Sequence, residues 1–415
     1  MNDEFAPWLD VVRQDRGDVY KAGVLVAQLV RHEDRVEFRY LPDHLDGPDV
    51  ATTLPAGPDV VVTPGRAVPP YFAGLLPEGR RLTALRSAIK TSADDDFSML
   101  LVVGGDPVGD VQVVPAGAPP PALDDVGGAG STFGAASFDN ATFDTVSFAE
   151  VFGRLVGGVP DPVGFAGVQD KVSGRMISVP LRVGGTSYLL KLDPPEFPHL
   201  VENEQFFLTV ARTCGLPVVA SHVVRDREGR PGLVVERFDR HRLGGQLVGR
   251  ATEDGCQVAG RYPGDKYALD TEALFSAMAR HCVARPVALR DLLRQLVVAI
   301  VTGNGDLHAK NVSIVDLEGE WRVAPAYDVP SSAPYGDRTL ALALGGTREG
   351  QVSRRRLLES AQAIGLPERA ATLTLDDLLD RLSPVPEQLE QLPFDERRIA
   401  DLRRLMRARL QLLRS

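Results

Sequence analysis

The stretch Thr302-Gly303-Asn304-Gly305-Asp306-Leu307-His308-Ala309-Lys310-Asn311 constrains this chain more than any other. An apolar segment with helical character, Leu292 to Val301, runs into it. Behind it, Val312-Ser313-Ile314-Val315 and Trp321-Arg322-Val323 read as a short β-hairpin turning at Glu318-Gly319. Ala324-Pro325-Ala326-Tyr327-Asp328 closes the block. A glycine-punctuated loop between a buried helix and a hairpin is an unusual place for Asp, His, Lys and Asn together. Phosphoryl transfer needs such a set: a carboxylate beside the attacking hydroxyl, with an amide oxygen and a second carboxylate on Mg²⁺. Asp306 and Asn311 stand five residues apart, and Asp328 follows the hairpin.

A chain of 415 residues is long enough for two or three subdomains. No apolar run reaches the ~18 to 20 residues of a membrane span, and the Met1-Asn2-Asp3-Glu4 start lacks a basic region followed by an apolar one. The expectation is a cytoplasmic protein without a membrane partner. Cys214, Cys256 and Cys282 lie far apart, which suggests buried thiols and neither a disulfide framework nor a zinc site. A formal net charge of −10 argues against a chain that coats nucleic acid unaided. Lysine is used only six times against 46 basic residues in all, and Lys171, Lys191 and Lys310 fall in the candidate site.

Taken in order, Asp18 to Leu29 alternates around Gly23 as a hairpin, and Val36 to Tyr40 alternates as a third strand. A turn-rich segment, Pro69 to Arg80, leads to a helix at 80–90, and Phe97 to Leu101 begins a short second helix. From Pro115 to about Thr145 the composition becomes Ala, Gly, Pro, Ser and Asp, as in a linker or mobile loop. Gly164 to Ser173 then precedes an alternating strand, and its small residues would let backbone approach phosphate oxygens. Thr186 to Leu192 is a strand carrying Lys191, Leu200 to Ala211 has helical spacing, and Leu233 to Arg240 is a strand entering a charged bend. Residues 352–415 are helical by period, with arginines at 354–356 and again from Arg397 to Arg409; that stripe is either a solvated face or a surface for DNA phosphates.

Asn304-x-Asp306-x-His308-x-Lys310-Asn311 followed by Ala324-Pro325-x-Tyr327-Asp328 resembles the signature of the HipA family of bacterial toxin kinases. That serine/threonine kinase group is distantly similar to the phosphatidylinositol kinases, which also place the His after the Asp. Ordinary protein kinases share the Asp-to-Asn spacing but place the His before. Leu75-Leu76-Pro77-Glu78-Gly79 and Ala166-Gly167-Val168-Gln169-Asp170-Lys171 resemble further segments of the same family. HipA proteins often carry an autophosphorylated serine two residues before the Ala of the second segment; here Gly164 stands there.

The resemblance implies an α+β, two-lobed protein-kinase-like fold with a small β-rich N-terminal subdomain and a mostly helical C-terminal lobe. The expected division is 1–117 for the N-terminal subdomain, 118–146 for the linker, 147–245 for the N-lobe core and 246–415 for the helical lobe. ATP and Mg²⁺ are the implied cofactors. Asp306 would be the base, with His308 and Lys310 lining the site; Asn311 and Asp328 would hold the metal. Ala166, Gly167, Val168, Gln169, Asp170, Lys171 and Lys191 would hold phosphates. Glu236, Arg237 and Phe238 would form the hinge, and His308, Asn311, Tyr327 and Asp328 would complete the nucleotide site. Asp239 and Arg240 are expected to hold the hinge by ion pairs. Glu204 is either a partner of Lys191 or a plain surface glutamate. Glu253 to Ala259 and Lys266-Tyr267 match a family helix that starts the second lobe, with structural roles.

The family further implies a toxin neutralised by a helix-turn-helix antitoxin of the HipB kind, operator DNA reached through that complex, and a protein substrate such as an aminoacyl-tRNA synthetase. Two other classes stay open: a weakly active kinase-fold corepressor, and a small-molecule or lipid kinase.

Overall fold

The computed structural model describes residues 10–92, 94–124, 143, 145–156, 176–183, 185–194 and 197–415. The chain divides into two compact units. The first holds the N-terminal module, two later chain segments, 177–192 and 224–263, and the strands they carry.

In the N-terminal module, β1 (Arg16–Lys21) and β2 (Val24–Arg31) form the expected hairpin. The two-residue turn Ala22-Gly23 has positive φ at both positions, 48° and 81°, which suits the twist of paired strands. β3 (Arg35–Tyr40), β4 (Val61–Pro64) and β5 (Val111–Pro115) complete an antiparallel sheet of order β4-β3-β2-β1-β5. Its inner face, with Val19, Val26, Leu29, Val36 and Phe38, packs on α1 (Pro70–Gly74), α2 (Gly79–Ile89) and α3 (Asp96–Val103). Alternation in the strands and a continuous apolar run in α3 together build one core.

After α4 (Phe148–Val156), β6 (Ile177–Val183), β7 (Thr186–Leu192) and β9 (Pro231–Glu236) pair antiparallel, with β7 in the middle. Val179, Leu181, Leu190, Leu192 and Val234, with Val224 of β8 (Ser221–Arg225), cover Phe143 and Phe148. β10 (Arg240–Leu243) and β11 (Gln246–Gly249) form a further hairpin. Gly255–Val258 is a single helical turn with a capping box between Asp254 and Gln257. Lys266 and Tyr267 are not part of a helix that starts there, since the Pro263–Asp265 turn intervenes. The expected continuous helix is replaced by turns because Gly260, Pro263 and Gly264 interrupt it.

The second unit is mainly helical. α5 (Leu200–Thr213), α6 (Thr271–His281), α7 (Arg285–Thr302), α8 (Arg354–Ala363), α9 (Glu368–Leu382) and α10 (Glu396–Arg414) are its main helices. α7 packs against α6, α9 and α10, and Leu292, Val297, Ile300 and Val301 are buried on it. The hairpin of β12 (Ser313–Leu317) and β13 (Glu320–Val323) turns at Glu318-Gly319, with φ of 60° and 87°. The whole is an α+β, kinase-like architecture.

Candidate active site

α7 delivers the acidic loop. It ends at Gly303, whose left-handed φ of 75° caps the helix. A side chain at Gly303 would meet the Ala333 methyl at 2.9 Å, so the position requires glycine on both counts. Asn304 then turns the chain: its N–H donates to the Ala299 carbonyl at 2.9 Å, and its Oδ1 accepts the Asp306 N–H at 2.8 Å.

Asp306 is fully buried. Its Oδ1 accepts the Tyr267 hydroxyl at 3.0 Å, and His308 Nε2 lies 3.9 Å from the same oxygen. The Asp306 carbonyl accepts from the His308 N–H and from Asn311 Nδ2, both at 2.8 Å. That second bond commits the Asn311 amide nitrogen to the loop and leaves its oxygen as the atom able to ligate a cation. Ala309 to Asn311 form a 3₁₀ turn, and the Ala309 N–H donates to the Lys266 carbonyl at 3.1 Å. Lys266 is itself buried, its ammonium 5.5 Å from the Tyr267 ring centre. Lys310 is buried too.

The segment carrying Asp328 is tied in by main-chain bonds. Ala326 N–H donates to the Pro217 carbonyl at 2.8 Å, and Val219 N–H donates to the Ala326 carbonyl at 3.1 Å. The Tyr327 hydroxyl donates to the Lys310 carbonyl at 2.8 Å and sits 2.6 Å from Ser313 Oγ, so it braces the loop. Asp328 is half-buried with φ of 54°, a conformation a non-glycine residue adopts only when its surroundings hold it there. One carboxylate and one amide oxygen fit Mg²⁺, which keeps several waters and takes its other ligands from substrate phosphates. Among the described residues no cluster of three or more His, Cys, Asp or Glu side chains could hold a metal ion.

In the first unit, Lys191 lies in β7 between Ser178 and Leu233. Glu236 ends β9 opposite Tyr188 and is exposed. Arg237 and Arg240 are buried with Asp106 and Asp239 in a closed charge network. Arg237 reaches Asp106 at 3.1 Å and Asp239 at 2.8 Å; Arg240 reaches them at 2.5 and 2.7 Å. Burial alone would push the Asp239 carboxyl up, but Arg237 and Arg240 outweigh it and hold the group well below the ordinary carboxylate range. The Arg237 side chain is therefore spent on this network, while its N–H donates to the Ser187 carbonyl at 2.9 Å and its carbonyl accepts the Arg240 N–H at 3.3 Å. The Phe238 carbonyl accepts from Arg250 at 3.2 Å.

Ala166, Gly167, Val168, Gln169, Asp170 and Lys171, with Gly164 and Ser173, lie outside the described residues. Glu204 is fully buried on α5, which removes the surface-glutamate alternative. The arginine stripe of α10 is largely paired: Arg403 with Glu387 and Glu390, Arg407 with Glu387, Arg404 with Asp401. Arg409 leaves the stripe altogether, buried and donating to the Ile300 carbonyl at 2.7 Å. Tyr267 is a site residue that sequence reading assigned a structural role. Its only signal was a place beside one of the rare lysines.

Fold and loop together define a protein of kinase-like architecture. The chain belongs to the HipA family: residues 17–114 match the HipA N-terminal domain and residues 163–385 the HipA-like C-terminal domain. It is 31% identical to a Sinorhizobium fredii protein named "Putative kinase Y4mE", across 96% of this chain and 98% of that one. It is 24% identical to the Serine/threonine-protein kinase toxin HipA of Shewanella oneidensis, across 78% of this chain and 77% of that protein. Its fold is similar to a solved structure of the Shewanella oneidensis toxin–antitoxin system HipA, HipB and operator DNA complex, with a TM-score of 0.74 at 21% identity over 95% of this chain and 96% of that one.

Proposed function

We propose that this protein is an ATP-dependent serine/threonine-protein kinase acting as the toxin of a type II toxin–antitoxin pair. The observation that carries the reading is the buried Asp306 carboxylate, oriented by Tyr267, on a loop whose Asn311 presents its amide oxygen. Asp306 orients the substrate hydroxyl and accepts its proton as transfer proceeds. Asn311 and Asp328 would hold the metal, and Lys191 with residues 166–171 would supply charge and backbone N–H groups to phosphates. Mg²⁺ held there would supply charge neutralisation to the transferring phosphate. Such positioning and charge stabilisation carry most of the barrier reduction, because the protein does little covalent chemistry itself.

The relative solved with an antitoxin and operator DNA supports a helix-turn-helix partner of the HipB kind, with DNA contacted through that complex. The substrate class that fits a growth-arresting kinase of this family is a translation protein such as an aminoacyl-tRNA synthetase. The deciding experiment is induced expression of the wild type and of Asp306→Asn, with phosphoproteomics of arrested cells. Arrest by the wild type alone, with a new phosphoserine or phosphothreonine on one protein, is the expected result. Arrest by both means that binding causes it, as a corepressor would. No arrest by either, with ATP turnover on a small molecule, sinks the toxin reading.

A further inference from the structure

We propose that Asn203 and Ser332 are positioning residues for phosphoryl transfer, acting through one buried relay from α5 to the acidic loop. The proposal rests on the kinase reading above.

Asn203 is a fully buried amide on the inner side of α5, beside the buried Glu204 and among Leu200, Phe207 and Leu208. Its Nδ2 donates to the Ser331 carbonyl at 2.9 Å, and its Oδ1 accepts the Ser331 N–H at 2.8 Å. One side chain thus satisfies both main-chain groups of a residue three positions past Asp328, as a neighbouring strand would. An apolar residue at 203 would strand both groups in the interior.

Ser332 carries the link onward. Its Oγ accepts the Gly305 N–H at 2.8 Å and shares its own proton between the Gly303 carbonyl at 3.1 Å and the Asp337 carbonyl at 2.9 Å. Its N–H also donates to the Gly303 carbonyl, at 3.0 Å. A Cβ on Gly305 would stand 2.8 Å from Ser332 Oγ and 2.9 Å from both Asp337 Oδ2 and the Thr339 carbonyl, so this approach closes only with glycine. Gly305 immediately precedes Asp306, and a shift of its N–H carries the carboxylate with it. Neither Asn203 nor Ser332 touches the Asp306 carboxylate in any bond described above; their effect is on where that carboxylate stands. A misplacement of about 1 Å at a reacting group costs roughly 10²-fold in rate.

The test uses the full-length protein and three variants, Asn203→Ala, Ser332→Ala and Asn203→Asp, which keeps the shape and the bond accepted from the Ser331 N–H but sets an oxygen against the Ser331 carbonyl. Single-turnover phosphoryl transfer, nucleotide affinity by titration with ATP and Mg²⁺, and amide hydrogen exchange over 303–311 are measured on each. The expected result is a fall in transfer rate of about 10- to 100-fold for the alanine variants. Nucleotide affinity should stay within about threefold, and exchange at Gly305 and Asp306 should rise in all three variants. Transfer within twofold of wild type in the folded variants overturns the proposal, as does equal loss of rate and affinity. If an alanine variant fails to fold, Asn203→Asp alone decides by the same split. If the wild type transfers no phosphate the kinase reading has failed, and unchanged exchange at Gly305 and Asp306 in the variants would separately overturn the relay.

Discussion

The Tyr267 hydroxyl donates to Oδ1 of Asp306 at 3.0 Å, while the Tyr267 ring meets His308 edge-on with centroids 5.0 Å apart. One tyrosine therefore orients the carboxylate and packs the neighbouring imidazole. Tyr267→Phe removes only the first function. A hydrogen bond to a charged group contributes about 1.5–3 kcal/mol, so transfer should fall roughly 10-fold or more with ATP affinity unchanged. Single-turnover rates and nucleotide titration measure both, and a rate within twofold of wild type would show that Asp306 needs no such partner.

Asp306→Asn preserves shape, and its amide oxygen can still accept from Tyr267. It removes the proton acceptor. Loss of at least about 10²-fold in transfer is expected, with nucleotide affinity intact. Equal loss of rate and affinity would count against Asp306 as the base.

Asp106→Asn tests the buried network of Arg237, Asp239 and Arg240. With that carboxylate gone, Arg237 and Arg240 face Asp239 alone, and breaking a buried pair in this way costs about 3–5 kcal/mol. Urea denaturation should register the loss. The same network makes the protein acid-sensitive: the Asp239 carboxyl is held low when folded, so its contribution is present above the unfolded value near pH 4 and is lost as pH falls toward the folded one. An Asp106→Asn protein as stable as wild type would mean that water reaches the arginines.

Asp193 has the opposite sign. Burial pushes its carboxyl up to about 7, although it accepts the His199 N–H at 2.9 Å and the Val201 N–H at 2.8 Å at the start of α5. The unfolded chain ionises this group near pH 4, so its stabilisation is complete below that value and is lost as pH rises to about 7. The stability difference between wild type and Asp193→Asn should therefore change by a few kcal/mol across that window. A difference that stays flat in thermal melts from about pH 4 to pH 8 would exclude the raised value.

Arg409→Ala removes the arginine donor from the part-buried Arg338 carbonyl and from the Ile300 carbonyl, which keeps only the long Gly303 N–H bond at 3.4 Å. Burial pushes this guanidinium down to about 10, with Arg338 adding to the effect. Unpaired buried acceptors cost about 1–3 kcal/mol each, so destabilisation of that order is expected by urea denaturation, whereas Arg404→Ala on the exposed face should change stability by less than about 0.5 kcal/mol. Equal effects of the two would contradict the burial of Arg409.

Local chemistry was legible from the residues. Ala22-Gly23 and Glu318-Gly319 are turns because two-residue hairpins need positive φ, and alternation on either side marks the strands. Gly303 after an apolar helix is a stop signal, and the Asp306, Asn311 and Asp328 spacing marks the chemistry. Charge cannot be read the same way. Arg409 looks like one more cation of a surface stripe in sequence and is buried against the Ile300 carbonyl, and the ion pairs expected of Asp239 and Arg240 draw in Asp106 from far back in the chain. Asp106 and Arg240 are 134 residues apart, Asn203 and Ser331 128, Tyr267 and Asp306 39. Backbone torsions and side-chain periodicity depend on near neighbours, so the sequence by itself determined the turns and the helix ends and singled out the candidate reacting groups. A buried polar group must find its partner wherever packing brings one, so only the tertiary structure decided which residues hold those groups in place.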